Sequence, residues 1–270
     1  MKVIKNIIGN FKHYAFLMQQ LISRDFKVKY KRSVLGVLWS LLYPILMMAV
    51  MALVFSQMFK FKVEGVNYLV YLMTGLIMFN YVSEASNSAM TSVVSNFALM
   101  SKVYIPKYIF PISKCLFVGI NFLLTLIPLL VIILFTGSAA EGTKCVINIW
   151  YILLPYIFIC MVVFTMGLGL ILSCVSVFFR DMFYIYGIVI TIWNYLTPVF
   201  YDVSILPAFA QKIMEFNPLF ILINAARSII LHGARPSITT MAVMGLIAFG
   251  TLGIGALIFK KKQDKFIYYA

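Results

Sequence analysis

Six windows of this chain, residues 33–59, 65–83, 115–140, 145–179, 182–201 and 236–259, contain no Asp, Glu, Lys or Arg. Each is close to, or longer than, the ~20 apolar residues that a helix needs to cross a bilayer. Hydrocarbon offers no hydrogen-bond partners, so a crossing chain must satisfy its own amides and carbonyls within helices or a closed barrel. Long, continuously apolar windows predict helices, with spans at about 34–59, 66–84, 112–136, 148–174, 183–201 and 237–259. The chain is 63% hydrophobic and 11% charged, against about 25% charged in soluble domains. The expected fold is therefore an all-α integral membrane protein with six transmembrane helices and short loops.

Charge sets the orientation. The 22 Lys and Arg outnumber the 8 Asp and Glu, for a net charge of +14. In a soluble protein that excess would suggest nucleic acid, but almost no soluble surface remains to bind one. Cations instead collect on the cytoplasmic side of membrane spans. With the N-terminus inside, the cytoplasmic segments 1–33, 85–114, 180–181 and 260–270 hold 16 of the 22 Lys and Arg. Six spans then leave both termini in the cytoplasm.

Residues 1–33 are expected to form a separate N-terminal unit ahead of the six-span transmembrane domain at 34–270. Ile4, Ile7, Ile8, Phe11, Tyr14, Ala15, Met18, Leu21 and Ile22 fall at steps of three and four, and Phe26, Tyr30 and Val34 continue the stripe. That period describes an amphipathic helix lying in the membrane interface. No short apolar core followed by a small-residue cleavage site marks it as a signal peptide. Five cations, Arg24, Lys27, Lys29, Lys31 and Arg32, sit within nine residues next to the first span. Such a band anchors the chain and enforces orientation. Lys27, Lys29, Lys31 and Arg32 are equally placed to meet a substrate's phosphate headgroup, each contributing about 1 kcal/mol near anionic lipid. Both readings stand at this point.

Two connections are unusual. Residues 85–101, ASNSAMTSVVSNFALMS, are uncharged yet carry five Ser, two Asn and one Thr. They are too polar to face lipid, and predict a helix that leaves the second span and turns at the cytoplasmic surface. Residues 202–235 contain two short apolar runs split by Lys212, Glu215 and Asn217-Pro218. Neither run is long enough to cross, so the expectation is a re-entrant helix pair between spans five and six, with a surface loop as the alternative.

Other chemistry finds little support. There is no GxxxxGK[ST] phosphate loop, so ATP hydrolysis by that route would fall to a partner. Ionisable groups are absent from the span centres, against the habit of ion-coupled carriers. The acids and the two His do not cluster as a membrane glycosyltransferase or acyltransferase would require. The four Cys are dispersed without a CxxC pair, so no metal site is expected. Aromatic residues make up 16% of the chain. Many belong to interfacial belts, but Trp39, Tyr43, Phe79, Tyr81, Trp193 and Tyr195 lie in or near spans, some beside Asn80 and Asn194. Aromatic faces with amides suit sugar rings and make these six candidates for a translocation path, with core or lipid-facing packing as the alternative. Glycines at 167, 169, 245, 250, 253 and 255 favour close helix packing.

In order and spacing, the chain resembles the permease subunits of type 2 ABC exporters, in the branch that exports polysaccharide, O-antigen and teichoic acid. The resemblance rests on the basic N-terminus leading into SVLGVLWSLLYPIL, then LMSKVYIPKYIFPIS, FFRDM, LTPVFY and FNPLF. It implies a multi-pass subunit of the bacterial cytoplasmic (inner) membrane that pairs with a second copy of itself and with a nucleotide-binding ATPase subunit. It binds no cofactor itself; ATP and Mg belong to the partner. The cargo implied is a lipid-linked glycan, and the same scaffold exporting drugs or small lipids is the alternative. Asn96, Lys102, Pro106 and Lys107, together with Arg180 and Asp181, match the positions that couple to the ATPase. Many members carry Phe-Pro-Arg where this chain has Ile105-Pro106-Lys107, and lysine lacks the bidentate fork of arginine.

Overall fold

Helix ends follow caps and breaks written into the sequence. Asn67, Asn148, Asn217 and Ser237 each accept a hydrogen bond from a backbone amide two or three residues on, at 2.8–3.1 Å, and so start a helical segment. Gly36, at φ +48°, occupies the left-handed region and separates the first two long helices. The computed structural model of the protein describes residues 2–31, 33–54, 66–100, 105–136 and 148–266. Among these, the regular elements are α1 (Lys2–Tyr30), α2 (Trp39–Ala52), α3 (Tyr68–Ser95), α4 (Phe97–Met100), α5 (Ile109–Thr136), α6 (Leu154–Phe178), α7 (Met182–Leu196), α8 (Ala208–Met214), α9 (Pro218–Ile230) and α10 (Ile238–Lys262), with short 3-10 turns between some of them.

Three helical stretches among the described residues are long and apolar enough to cross a membrane: Ile109–Phe135, Ile149–Phe178 and Ile238–Lys265. Helices α8 and α9 would make a fourth if taken as one broken span; they meet at 90°. Gly36–Met51 and Met182–Leu196 are apolar but shorter. Pro198 forces the preceding Thr197 into extended backbone and so ends α7 at Leu196, short of the expected boundary at 201. The expected end of the first span, to residue 59, lies outside the described residues.

Helix α3 runs 28 residues, through Glu84 and into the polar segment, and ends at its C-cap Asn96. Its polar half is helical because the hydroxyls bond back onto their own helix: Ser86 to the Val82 carbonyl, Ser92 to Ala89 and Ser95 to Ser92. With those donors satisfied, Ala85, Ser86, Ala89, Met90, Ser92 and Val93 are buried against neighbouring helices. Ser176 of α6 donates to the Met90 carbonyl at 2.8 Å, and Ser86 shares a hydrogen bond with Tyr186 of α7 at 2.6 Å. Small hydroxylated residues let these helices approach while supplying the polar contacts between them.

The α6–α10 contact is tighter still. A Cβ at Gly167 would stand 2.5 Å from the backbone of Thr251 and Leu252, and one at Gly255 would strike the Gly167 carbonyl oxygen. Of the glycines named from sequence, Gly167, Gly169 and Gly255 serve close packing, whereas Gly250 and Gly253 face open space.

One apolar cluster gathers the ends of several helices: Met18 and Leu21 of α1, Val93 of α3, Phe110 of α5, Val177 of α6 and Phe259 of α10, with Phe266 beyond it. Lys260–Lys262 close α10 at this end, where cations oppose the negative end of the helix dipole. We call it the basic end. The stripe read on α1 packs against protein at Met18, Leu21, Ile22 and Phe26, whereas Val34 at its far end is exposed. Asp25 on the same face is ion-paired with Lys114 of α5 at 2.7 Å and with Arg24 at 3.1 Å.

Candidate functional site

A polar line on the uncovered side of a packed helix marks where water or a ligand can meet it. On α3, Asn80, Glu84, Asn87 and Thr91 are all exposed, at steps of four, three and four. They share one face and extend about 16 Å at 1.5 Å per residue. Two neighbouring hollows open beside this line. One, of about 280 Å³, is lined by Asn80, Tyr81, Glu84, Asn87, Asn121 and Thr125 among others. The second, of about 500 Å³, shares Tyr43 with the first and adds Lys29, Tyr30, Trp39 and Ser40.

Each wall is positioned by local structure. The last turn of α1 delivers Lys29 and Tyr30, and the Gly36 reversal brings α2 back so that Ser40 and Tyr43 face them. The Tyr30 hydroxyl is hydrogen-bonded to the Ser40 hydroxyl and donates to Asn121 Oδ1 of α5 at 3.0 Å. Asn121 is 5% exposed and its Nδ2 has no hydrogen-bond partner. Lys29 Nζ meets Glu84 Oε1 at 3.0 Å, with its ammonium 5.7 Å from the Phe117 ring centroid. The groove therefore offers amides, hydroxyls, aromatic edges and one ion pair, groups able to hydrogen-bond hydroxyls and to pair with an anion. Among the described residues no three His, Cys, Asp or Glu side chains gather as a metal site would need.

Of the headgroup candidates, Lys29 lines the groove, Lys27 and Lys31 are exposed, and Arg32 lies outside the described residues. Among the path candidates, Trp39 and Tyr43 line the groove and Tyr81 borders it from a buried position. Phe79 sits in the core. Trp193 is elsewhere, donating its indole N–H to Asn217 Oδ1 at 3.0 Å, and Tyr195 is exposed on α7. The coupling candidates gather toward the basic end. Asn96 caps α3 and accepts from Arg24 at 3.2 Å. Pro106 leads into α5, while Lys107 donates to the Gln263 carbonyl at 2.6 Å and faces the Phe266 ring. Burial lowers the Lys107 pKa from its ordinary value, and nearby Asp264 partly opposes that. Arg180 and Asp181 are exposed at the α6–α7 corner, and Lys102 is outside the described residues.

Sequence reasoning did not single out Asn87, Asn121 and Thr125, although the spacing of Asn80, Glu84, Asn87 and Thr91 was readable. It also counted Arg227 only as an external cation. Arg227 on α9 is 3% exposed. It donates to the carbonyls of Pro198 at 2.7 Å, Val199 at 2.9 Å and Tyr71 at 3.1 Å, and its Cζ lies 3.4 Å from the Tyr71 ring centroid. It thereby ties α9 to the break after α7 and to the start of α3. Asn217 reinforces that junction by donating to the Thr197 hydroxyl at 3.0 Å.

The sequence profile of the family described as ABC-2 type transporter matches residues 17–231. An O-antigen export system permease protein of Klebsiella pneumoniae is 29% identical over 256 residues, covering 94% of this chain and 95% of its own. A protein of the same description from Myxococcus xanthus is 25% identical over 263 residues, covering 96% and 97%. A polysialic acid transport protein of Escherichia coli is 19% identical over 256 residues, covering 95% and 97%. The profile spans both the groove-forming helices and the α8–α9 pair, and the chain belongs to the ABC-2 type transporter family of membrane proteins.

Proposed function

We propose that this chain is the membrane permease subunit of an ATP-driven exporter that carries a lipid-linked cell-surface polysaccharide, such as an O-antigen or capsular glycan, outward across the bacterial cytoplasmic membrane. The observation that carries it is the polar line of α3, Asn80, Glu84, Asn87 and Thr91, uncovered in a chain whose relatives are polysaccharide export permeases. Sugars present hydroxyls to amides and C–H faces to aromatic rings, and the groove supplies both. In this reading residues 34–270 form six spans, of which α2, α3, α5, α6, α7 and α10 are the helical parts. Residues 1–33 are the cytoplasmic lead-in, both termini are cytoplasmic, and the bent α8–α9 pair is re-entrant from the outside. The cation bias supports that orientation.

Energy comes from a separate ATPase subunit that binds ATP and Mg and docks at the basic end, where Asn96, Pro106, Lys107, Arg180 and Asp181 gather. A second copy of the chain completes the path, and α7, with Tyr184, Ile188 and Ile192 exposed, is available to meet it. The first test is purification of the tagged chain from its native membrane in mild detergent. A stoichiometric soluble ATPase should accompany it, and cells lacking the chain should lose surface polysaccharide. A folded chain that reproducibly brings no ATPase would overturn the proposal. ATPase activity stimulated by hydrophobic drugs but not by lipid-linked sugar would move the cargo to drugs.

A further inference from the structure

The Lys29–Glu84 pair joins two places that the sequence sets at the same depth. Glu84 ends the charge-free window 65–83, and Lys29 lies four residues before the window 33–59. Both side chains line the larger hollow, and they remain 38% and 51% exposed. The ammonium also faces the rings of Tyr30 and Phe117, at 5.9 and 5.7 Å. The ammonium is therefore flanked by aromatic rings, while its carboxylate partner stands on the exposed polar line of α3. An ion pair this exposed is weak in water and yields readily to a stronger anion. A terminal phosphate monoester carries about −1.5 to −2 charge, and a pyrophosphate joined to a lipid at one end and a sugar at the other keeps about one charge on each phosphate, about −2 together, against a single charge on a carboxylate.

We propose that Glu84 is the resident counter-anion of a phosphate-ester site at Lys29. In the empty groove it occupies the ammonium; a pyrophosphate headgroup, with its greater charge, displaces it. Freed from Lys29, Glu84 accepts hydrogen bonds from substrate hydroxyls beside Asn80 and Asn87. The unpartnered Asn121 amide, buried at the same hollow, supplies a further donor. No covalent bond changes; one anion exchanges for another, and the site is closed to anions too weak to compete with Glu84. This inference rests on the export reading only for the identity of the cargo.

The experiment is calorimetric titration of the purified chain in phosphatidylcholine nanodiscs with farnesyl pyrophosphate and, separately, with inorganic pyrophosphate. Glu84→Gln should tighten farnesyl pyrophosphate binding about fivefold, equivalent to about 1 kcal/mol at 1.4 kcal/mol per decade. Lys29→Gln should abolish it, and Glu84→Asp, too short to reach the ammonium, should fall between wild type and Glu84→Gln. Both residues are half exposed, so these variants keep the fold, which gel filtration checks. If inorganic pyrophosphate binds as tightly as the lipid form, the site serves a free anion and the lipid-headgroup assignment falls. Unchanged or weaker binding in Glu84→Gln overturns the counter-anion role. That result would leave the export reading intact, because co-purification of an ATPase and loss of surface polysaccharide test it independently.

Discussion

Replacing Arg227 by methionine removes a cation that holds three backbone carbonyls from different parts of the chain. Hydrogen bonds to a charged group contribute about 1.5–3 kcal/mol each. The gross loss is therefore roughly 5–9 kcal/mol for the bonds to Pro198, Val199 and Tyr71. Two effects reduce it. Methionine no longer requires a buried charge, and relief from that desolvation recovers several kcal/mol. The Tyr71 hydroxyl, whose one hydrogen is shared with the Tyr201 carbonyl at 2.8 Å, also leaves the Pro198 carbonyl a weak partner at 3.3 Å. Loss of the guanidinium–ring contact with Tyr71 adds back about 1 kcal/mol. The net cost expected is about 3 kcal/mol, or about a hundredfold in the unfolding equilibrium. Thermal unfolding of the purified chain should begin about 6–12 °C lower. Arg227→Lys, with one compact ammonium in place of a planar fork, should lie between. The tyrosine hydroxyl contributes little to this, so Tyr71→Phe should move the midpoint far less than Arg227→Met. A midpoint for Arg227→Met within 1–2 °C of wild type would refute the reasoning, since it would mean that these carbonyls find other donors at no cost.

Gly255→Ala places a methyl against the Gly167 carbonyl, and overpacking of that kind should cost about 1–3 kcal/mol, read as a lower unfolding midpoint. Gly250→Ala, which meets nothing within 4 Å, should stay at or above wild type. Lys114→Met strands the buried Asp25 with only its half-exposed neighbour Arg24; a loss of about 1–3 kcal/mol is expected, and adding Asp25→Asn should recover most of it. Asn87→Leu should keep the midpoint but reduce polysaccharide export severalfold in a cell-surface glycan assay. Arg180→Glu with Asp181→Lys, both exposed at the α6–α7 corner, should leave the fold unchanged and lower the ATPase stimulation that the permease provides to its partner.

Helical class was legible without coordinates because charge-free windows of membrane length admit few other solutions. The starts of α3, α9 and α10 were equally local matters, written as Asn67, Asn217-Pro218 and Ser237. The basic band before the first window was visible, but not which of its cations enters a groove. That choice depends on the angle between α1 and α2, set by the Gly36 reversal, and on Glu84 arriving from a helix 55 residues away. The fate of the polar segment 85–95 was also beyond sequence. Its composition rules out lipid, yet only packing against α6 and α7 decides that Ser86 and Ser92 lie buried and that Asn87 and Thr91 line the open side. Arg227 is the sharpest case. Sequence placed it among external cations, since its acceptors are carbonyls, which carry no residue identity. Only the bend at Asn217 and the break at Pro198 bring those carbonyls to it. The chain's own periodicity and punctuation determined the helices; which polar side chains face one another was decided by how the helices pack.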